Sequence, residues 1–351
     1  MKTRASTPSA IGTAITRAIS VWGLLILLVL LIVLFSLLKP DTFLTFFNIK
    51  SILSNKSVQA LVALAVFIPM TANHFDLSAG FNLGISQVLA IGLQSQGLPW
   101  WAAVVVVLLM GALVGLVNGL LVTRVKIDSF IATLGTGTVL YGLNAWYTGG
   151  QQVLANLPSP FLAISGTLFA IPAPAIYTLV IAIVLWLVFE YLPLGRYLYV
   201  LGSSPRAAEL NGISARRYVT LGFVAAGTLS SFAGVVLQSQ LQVGQSSVGQ
   251  EYLLPAFTAA LLGATSIRPG RVNVWGTLLA VAVLAVTVAG LNQLGAPFFV
   301  EPLFNGSMLI LAVGLAVQAS HRRSRRSNEA DRSANAAAAA VVAAQTKGAS
   351  G

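Results

Sequence analysis

Long apolar runs separated by short polar breaks dominate the sequence. Most of these runs approach the ~20 residues that an α-helix needs to cross about 30 Å of hydrocarbon. The pattern therefore predicts an all-α integral membrane protein with about ten transmembrane helices. The runs lie at residues 19–38, 58–72, 79–96, 100–122, 129–148, 174–192, 217–238, 252–267, 273–292 and 302–319.

Three of the ten runs are weaker predictions. The second and eighth are short, and the third contains Asn82 and Gln87, so each either crosses the membrane or forms a re-entrant or interfacial segment. The first run has an alternative interpretation as a secretory signal. Because its apolar stretch exceeds the roughly 7–15 residues of a signal peptide and lacks a small-residue cleavage site, we interpret it as an uncleaved span.

The composition agrees with a lipid environment. Hydrophobic residues make up 56% of the 351 residues and charged residues only 8%, whereas soluble domains carry roughly 25% charge. The chain contains no cysteine, which excludes disulfides, thiol catalysis and cysteine-ligated metals. Its two histidines, His74 and His321, are far apart in the sequence. We therefore expect no metal site.

The formal net charge of +11 comes from basic residues that lie in the breaks between the apolar runs. This distribution indicates membrane topology and no nucleic-acid partner. With the N-terminus inside, only Lys39, Lys50 and Lys56 of the 20 Lys and Arg residues fall outside. The sequence thus predicts a cytoplasmic segment 1–18, a transmembrane domain 19–319, and a basic, then Ala-rich, cytoplasmic tail 320–351 that we expect to be disordered.

The longest hydrophilic break within the transmembrane domain, residues 193–217, contains a short helix signature. Ser204 suits the N-cap and Pro205 the first helical turn. Residues 206–211 form the body, and Gly212 suits the left-handed position that follows. So short a helix is marginal in water, so either the span ends or a partner protein hold it. The alternative is an ordinary turn between two spans.

Three glycines in the fourth run, Gly111, Gly115 and Gly119, recur every fourth residue. They lie on one helical face and allow close approach of another backbone, as in associating membrane helices. Packing is the primary interpretation of this stripe. The neighbouring Asn118 either bonds to an adjacent helix or contacts a polar solute.

Catalytic motifs are absent from the sequence. It has no phosphate-binding loop of the G-x-x-x-x-G-K-[ST] type, no HExxH and no G-x-S-x-G, so the chain is predicted not to hydrolyse ATP and not to be an enzyme. Ion-coupled carriers usually hold an ionisable group deep within a span. Only Asp76 is a candidate for such a group, which weakens the carrier interpretation.

Seven segments follow one another as in the permease subunits of ribose-type ATP-binding-cassette (ABC) sugar importers, and the chain resembles this family over roughly residues 40–318. Two places depart from the family pattern, Asn73-His74-Phe75 and the stretch 268–273, and they leave the substrate open. The segments are Asp76–Gly80, Gly115–Val122, Ser129–Gly135, Gly195–Tyr199, Pro205–Ile213, Gly234–Ser239 and Leu262–Ile267.

The resemblance implies a multi-pass protein of the bacterial inner (plasma) membrane. Its implied partners are a second permease copy in a homodimer, or a like subunit, two cytoplasmic ATP-binding subunits and an extracytoplasmic solute-binding protein. ATP and magnesium would be bound by the ATPase, so this chain needs no cofactor. The short cytoplasmic helix would be the coupling helix, with its contacts formed by Pro205, Arg206, Ala208, Glu209, Gly212 and Ile213.

The implied activity is inward movement of a small polar solute, such as ribose or a related sugar or polyol.

Phe130 would lie near the inner mouth and form a gate, or alternatively face lipid. Spans 2–5 and 7–10 would form two inverted blocks. A stand-alone secondary transporter or channel is the alternative function. Candidate residues of the path are Asp76, Asn82, Asn118, Phe130 and Thr133, with Gln87, Asn144 and Gln238 as further neutral polar groups.

Overall fold

A computed structural model describes residues 10–314, with side chains from residue 21 onward. Residues 1–9 and the predicted tail 320–351 lie outside the described part. The helices are α1 Ala10–Leu38, α2 Phe46–Thr71, α3 Ser78–Ser95, α4 Trp100–Leu120, α5 Ser129–Thr148, α6 Ser159–Leu162, α7 Ala173–Tyr191, α8 Pro193–Ser203, α9 Pro205–Leu210, α10 Ala215–Leu241, α11 Val248–Gly263, α12 Val274–Gln293 and α13 Val300–Gly314.

A helix occupies each of the ten predicted runs. Six helices within residues 10–314 are long and apolar enough to cross a membrane: α1 over Val21–Leu38, α2, α4 with the π-helical turn Leu121–Val125 that extends it, α7, α10 and α12. The protein is thus a helical, multi-pass membrane protein. The less apolar α3 and α5 and the shorter α11 and α13 occupy the other four predicted runs.

Two helices begin about three turns before their predicted runs. α2 begins at Phe46, where the Thr45 hydroxyl accepts a hydrogen bond from the Asn48 amide (3.2 Å), although its apolar run begins at residue 58. The cap gives a hydrogen-bond partner to a free amide of the first turn, so the helix can begin among the polar residues that precede this run. α1 begins at Ala10, inside the predicted segment 1–18, because no proline interrupts the chain between Ala10 and Leu38.

A small β-hairpin departs from the all-α prediction. Strands β1 (Thr167–Leu168) and β2 (Ile171–Pro172) pair antiparallel just before α7. The two-residue turn holds Phe169 (φ 51°) and Ala170 (φ 63°) in the left-handed region. This geometry matches the twist of a tight hairpin, but without Asn or Gly the sequence carried no hairpin signal.

The centre of the bundle is formed by α2 and α10. Residues 57–71 of α2 are buried on every face, as expected for a helix that is apolar all round, and α10 packs against α2, α3 and α4. The breaks form two groups at opposite ends of the bundle. At one end Val153 pairs with Gly244, and at the other the Ile267 amide donates to the Val21 carbonyl (3.0 Å).

Candidate functional site

Two of the predicted path residues, Asp76 and Asn118, meet through Ser78 beside the break between α2 and α3. Asp76 Oδ1 accepts hydrogen bonds from the Ser78 amide (3.0 Å) and hydroxyl (2.6 Å). Asn118 on α4 donates to the same Ser78 hydroxyl (2.8 Å). All three side chains are buried, so Ser78 links the carboxylate and the amide in one internal chain of hydrogen bonds.

Two oxygens of this cluster, Asp76 Oδ2 and Asn118 Oδ1, are buried and have no hydrogen-bond partner among residues 10–314. Burial raises the pKa of the Asp76 carboxyl to about 6, despite the opposing hydrogen bonds from Ser78. The charged form is costly because the carboxylate has lost water and faces no cation. The cluster therefore has unused hydrogen-bonding capacity.

The break between α2 and α3 is held by the first turns of α5. The Phe75 amide donates to the Ser129 hydroxyl (3.1 Å), and the Leu77 amide donates to Thr133 Oγ1 (3.0 Å). Thr133 Oγ1 lies within donor distance of the Phe75 carbonyl (3.1 Å) and of the Ser129 carbonyl (2.7 Å). These side chains replace the partners that a helix would give to this non-helical backbone.

Replacing Thr133 with valine should destabilise the folded protein by about 1–3 kcal/mol. Valine matches the shape but leaves the partly buried Leu77 amide unpaired. Thr133→Ser keeps the hydroxyl and should stay near wild type. The exposed Thr138, which bonds only within α5, supplies the matched control Thr138→Val. Thermal unfolding in detergent measures all three, and equal melting temperatures for Thr133→Val and Thr138→Val would contradict the assigned role.

The polar residues of α3 pair with α10. Asn82 donates to the Gly227 carbonyl (2.8 Å) and accepts from the Ser231 hydroxyl (3.2 Å), and the Ser86 and Ser231 hydroxyls are 2.8 Å apart. Gln87 pairs with Gln238. These bonds explain why α3 is a continuous helix despite its polar residues. In this conformation Asn82 serves helix packing.

The break between α10 and α11 is held in a similar way. Gln87 accepts a hydrogen bond from the Gln245 amide (3.2 Å), and Asn144 near the end of α5 donates to the Ser246 carbonyl (3.2 Å). The remaining amide oxygen of Asn144 is buried and unpaired. Thus α5 holds one break near its beginning and another near its end.

One face of α5 has no partner among the described helices. Phe130 in its first turn is 50% exposed, and Tyr141 further along is 38% exposed. A Cβ placed on Gly135 or Gly142 would contact nothing within 4 Å. This face of α5 therefore carries aromatic, hydroxyl and small residues together, and not only the aliphatic residues that are typical of a lipid-facing surface.

The glycine stripe of α4 faces α10. A Cβ added at Gly111 would overlap Ser231, and one at Gly115 would overlap the Phe223 carbonyl. At Gly119 an added Cβ would lie 2.7 Å from the Thr220 Cα. The two backbones are therefore in direct contact along about two helical turns.

The break at residues 193–217 contains two helices, where the sequence predicted one. α9 ends at Leu210, one residue before its predicted end, and Gly212 has the expected positive φ (74°). Ser204 occupies the N-cap position of α9 but its side chain makes no capping bond. Ser204 follows the last residue of α8 directly, with φ −155° and ψ 86°. This backbone conformation turns the hydroxyl away from the unpaired amides in the first turn of α9.

The surface of α9 is largely exposed. Arg206 and Glu209 form an ion pair (3.7 Å) in which both side chains face solvent. Ala208 is fully buried, and its carbonyl accepts from the Ile213 amide (3.0 Å), so one face rests on the bundle. Because α9 has only six residues, this docking and α8 hold it in place.

Helix α8 was missed in the sequence, although Pro193 at its start and the apolar spacing of Leu194, Leu198 and Leu201 are the signals of a helix. It packs on two breaks at the same end of the bundle. A Cβ on Gly202 would overlap the Thr71 carbonyl, and the Tyr199 hydroxyl donates to the Val272 carbonyl (2.8 Å).

Two arginines fasten the break between α11 and α12 to this region. Arg268 forms a bidentate ion pair with Glu190 at the end of α7, with both N–O distances 2.6 Å. Arg271 stacks over the Tyr199 ring, 3.3 Å from its centroid. The stretch 268–273 is one of the two that depart from the family pattern, and it is bound to α7 and α8.

Comparison with known proteins assigns this arrangement to a family. Residues 48–317 match the family described as "Branched-chain amino acid transport system / permease component". The chain belongs to this permease family. The permease is a transport subunit and not an enzyme. In an importer of this class ATP hydrolysis takes place in a separate subunit, and a solute-binding protein is a further partner.

Curated relatives cover most of the permease. The ribose import permease protein of Haemophilus influenzae is 32% identical over 292 residues, which span 82% of this chain and 90% of the relative. The ribose import permease of Bacillus subtilis is 33% identical, with 82% and 89% coverage. The D-allose transport system permease of Escherichia coli is 28% identical, with 84% and 90% coverage. No solved structure gives a significant match.

Proposed function

We propose that the permease moves a monosaccharide such as ribose, or a related sugar or polyol, into the cell in an ABC importer. The similarity to two ribose import permeases at 32% and 33% identity carries this proposal. The helix α9 supports the proposal, because it is exposed and docked at one end of the bundle. An ATPase subunit needs an exposed and fixed segment of this kind to bind. ATP and magnesium would be bound by that ATPase.

Reconstitution tests the energy source. Vesicles that contain the permease, its ATPase subunit and its solute-binding protein should accumulate labelled ribose only when ATP is present on the ATPase side. Vesicles with the permease alone should not accumulate it. Uptake by the permease alone, driven by an ion gradient, would instead establish a secondary transporter. The buried Asp76 with its unpaired oxygen is the observation that keeps this second candidate.

The proposed topology has ten spans, with both termini and α9 in the cytoplasm. The grouping of the breaks at two ends of the bundle supports it. Because the chain has no cysteine, single cysteines report on sidedness. Ser159→Cys should react with a membrane-impermeant thiol reagent added outside, whereas the equally exposed Ser203→Cys should react only after lysis. External labelling of Ser203→Cys would overturn this topology.

An inverted repeat of α2–α5 and α10–α13 is supported by matching irregularities. The first helix of each block is long, 26 residues for α2 and 27 for α10. Each is followed by a left-handed residue, Asn73 (φ 60°) or Gln242 (φ 57°), and then by a short non-helical break. The next helices, α3 with 18 residues and α11 with 16, are both short.

The unpartnered face of α5 favours a homodimer whose two copies of α5 enclose the solute path. Phe130 of each copy would then close the inner mouth as an apolar constriction. Phe130→Ala in the reconstituted complex should raise passive solute leak several-fold, with little change in thermal stability because the side chain is half exposed. Ile131→Ala, at the more exposed neighbouring position, is the control. Equal leak from wild type and Phe130→Ala would place Phe130 against lipid.

A further inference from the structure

A deep apolar groove opens on the surface of the permease, away from α5 and α9. Its walls are α1, with Leu28 and Ile32, and α7, with Leu179 and Ile183. Its floor consists of α2 and α12. The enclosed volume is about 700 Å³, which is far larger than a gap between well-packed helices.

The two hydroxyl groups that line the groove are already hydrogen-bonded. The Ser57 hydroxyl donates to the Leu53 carbonyl, and the Thr178 hydroxyl donates to the Pro174 carbonyl (2.8 Å). A sugar that entered would lose its hydrogen bonds to water without replacement, at a cost of several kcal/mol. The groove is therefore unsuited to the transported solute and suited to a hydrocarbon chain.

The length of the groove matches one leaflet of a bilayer. Its lining extends from Ala175 to Ile183 on α7 and from Leu278 to Val286 on α12, which corresponds to roughly 12 Å along each helix at 1.5 Å per residue. Half of a hydrocarbon core of about 30 Å has nearly this thickness. An acyl chain of a single leaflet fits this length.

A pair of opposite charges on α2 and α13 borders the groove. Lys56, which lines it, lies 3.1 Å from Glu301 at the start of α13, and both side chains are partly exposed to solvent. An anionic headgroup would meet Lys56 but be repelled by Glu301. A zwitterionic headgroup with a phosphate and a primary amine matches both charges.

We propose that this groove binds one aminophospholipid of the phosphatidylethanolamine type. One acyl chain lies between α1 and α7, the phosphate contacts Lys56 and the amine contacts Glu301. The lipid bridges α1 to α7 and fills the space above α2 and α12. Under the topology proposed above, the site belongs to the outer leaflet.

Native mass spectrometry tests the site on the full-length permease after exposure to phosphatidylethanolamine vesicles and mild delipidation. Wild type should retain one lipid per chain. Ala282→Trp in the floor and Leu179→Trp in the wall fill the groove and should each reduce retention at least tenfold. Leu187→Trp, two turns further along α7 and outside the lining, should retain the lipid. Unchanged retention in both groove variants, with normal melting temperatures, would overturn the proposal.

The headgroup preference has its own test. The double variant Lys56→Gln/Glu301→Gln removes both charges without leaving one unpaired, and it should lower retention of phosphatidylethanolamine at least fivefold. Wild type should retain phosphatidylglycerol less well than phosphatidylethanolamine. Equal retention of the two lipids would reject the zwitterionic assignment. Dissociation of a dimer by Ala282→Trp, with lipid retention unchanged, would assign the groove to a second copy of the chain and reject the lipid site.

Discussion

Replacing Gly115 with valine is expected to prevent the permease from folding in the membrane. The added Cβ would overlap the carbonyl of Phe223 in α10, and a backbone atom of a neighbouring helix cannot rotate away. We expect a loss of at least about 3 kcal/mol, above the usual range for overpacked cores, because α4 and α10 must separate along the whole glycine stripe. The amount of monodisperse protein extracted from membranes measures this loss.

Gly23→Val is the matched control for this prediction. Gly23 also lies within a membrane-spanning helix, α1, but a Cβ at this position would have nothing within 4 Å. Its yield should equal that of wild type, because β-branched residues cost little in a long apolar helix. If Gly115→Val is extracted as efficiently as Gly23→Val, then the close contact of α4 with α10 is not required for folding.

Glu209→Arg should leave the permease inserted and folded but reduce ATP-driven uptake to background. The pair it breaks is exposed and contributes only about 0–1 kcal/mol, so stability cannot account for a loss of transport. The substitution instead reverses the charge on the free face of α9, where the ATPase is proposed to dock. Gly212→Val should act in the same direction, because valine at φ 74° costs about 1–2 kcal/mol and redirects the chain into α10.

Pull-down of the ATPase subunit, together with solute uptake at matched permease levels, separates docking from folding. Asp41→Arg is the control, since it makes the same kind of charge reversal at an exposed site in the break between α1 and α2, at the opposite end of the bundle. It should bind the ATPase and transport normally. Normal uptake by both Glu209→Arg and Gly212→Val would show that α9 is only a turn between spans.

Much of the helix content was predictable from apolar runs, because lipid requires an uninterrupted apolar stretch for each crossing. The ends of helices were less predictable. The polar start of α2, with Asn48 and Lys50, contains no apolar signal, and only the Thr45 cap marks it. The hairpin at Phe169 was missed because its turn uses residues that local propensity disfavours.

The roles of the polar residues depend on partners far away in the sequence. Asn82 and Gln87 were candidates for the path because they are polar within an apolar run. In the structure they bond to α10 and to the break that follows it. These partners lie 145 or more positions away in the sequence. A single sequence does not show which distant residue will come into contact with Asn82 or Gln87. Thr133 was found, but its contact with Leu77 was not predictable for the same reason.

The position of α5 between the two breaks has a mechanical consequence. Thr133 holds the break before α3 and Asn144 holds the break before α11. The two attachment points are eleven residues apart on one continuous helix, or about 16 Å. A helix of this length is stiff. A tilt of α5 about a point between Thr133 and Asn144 would therefore displace both breaks at once, in opposite directions. We therefore expect a displacement of one break to be accompanied by a displacement of the other.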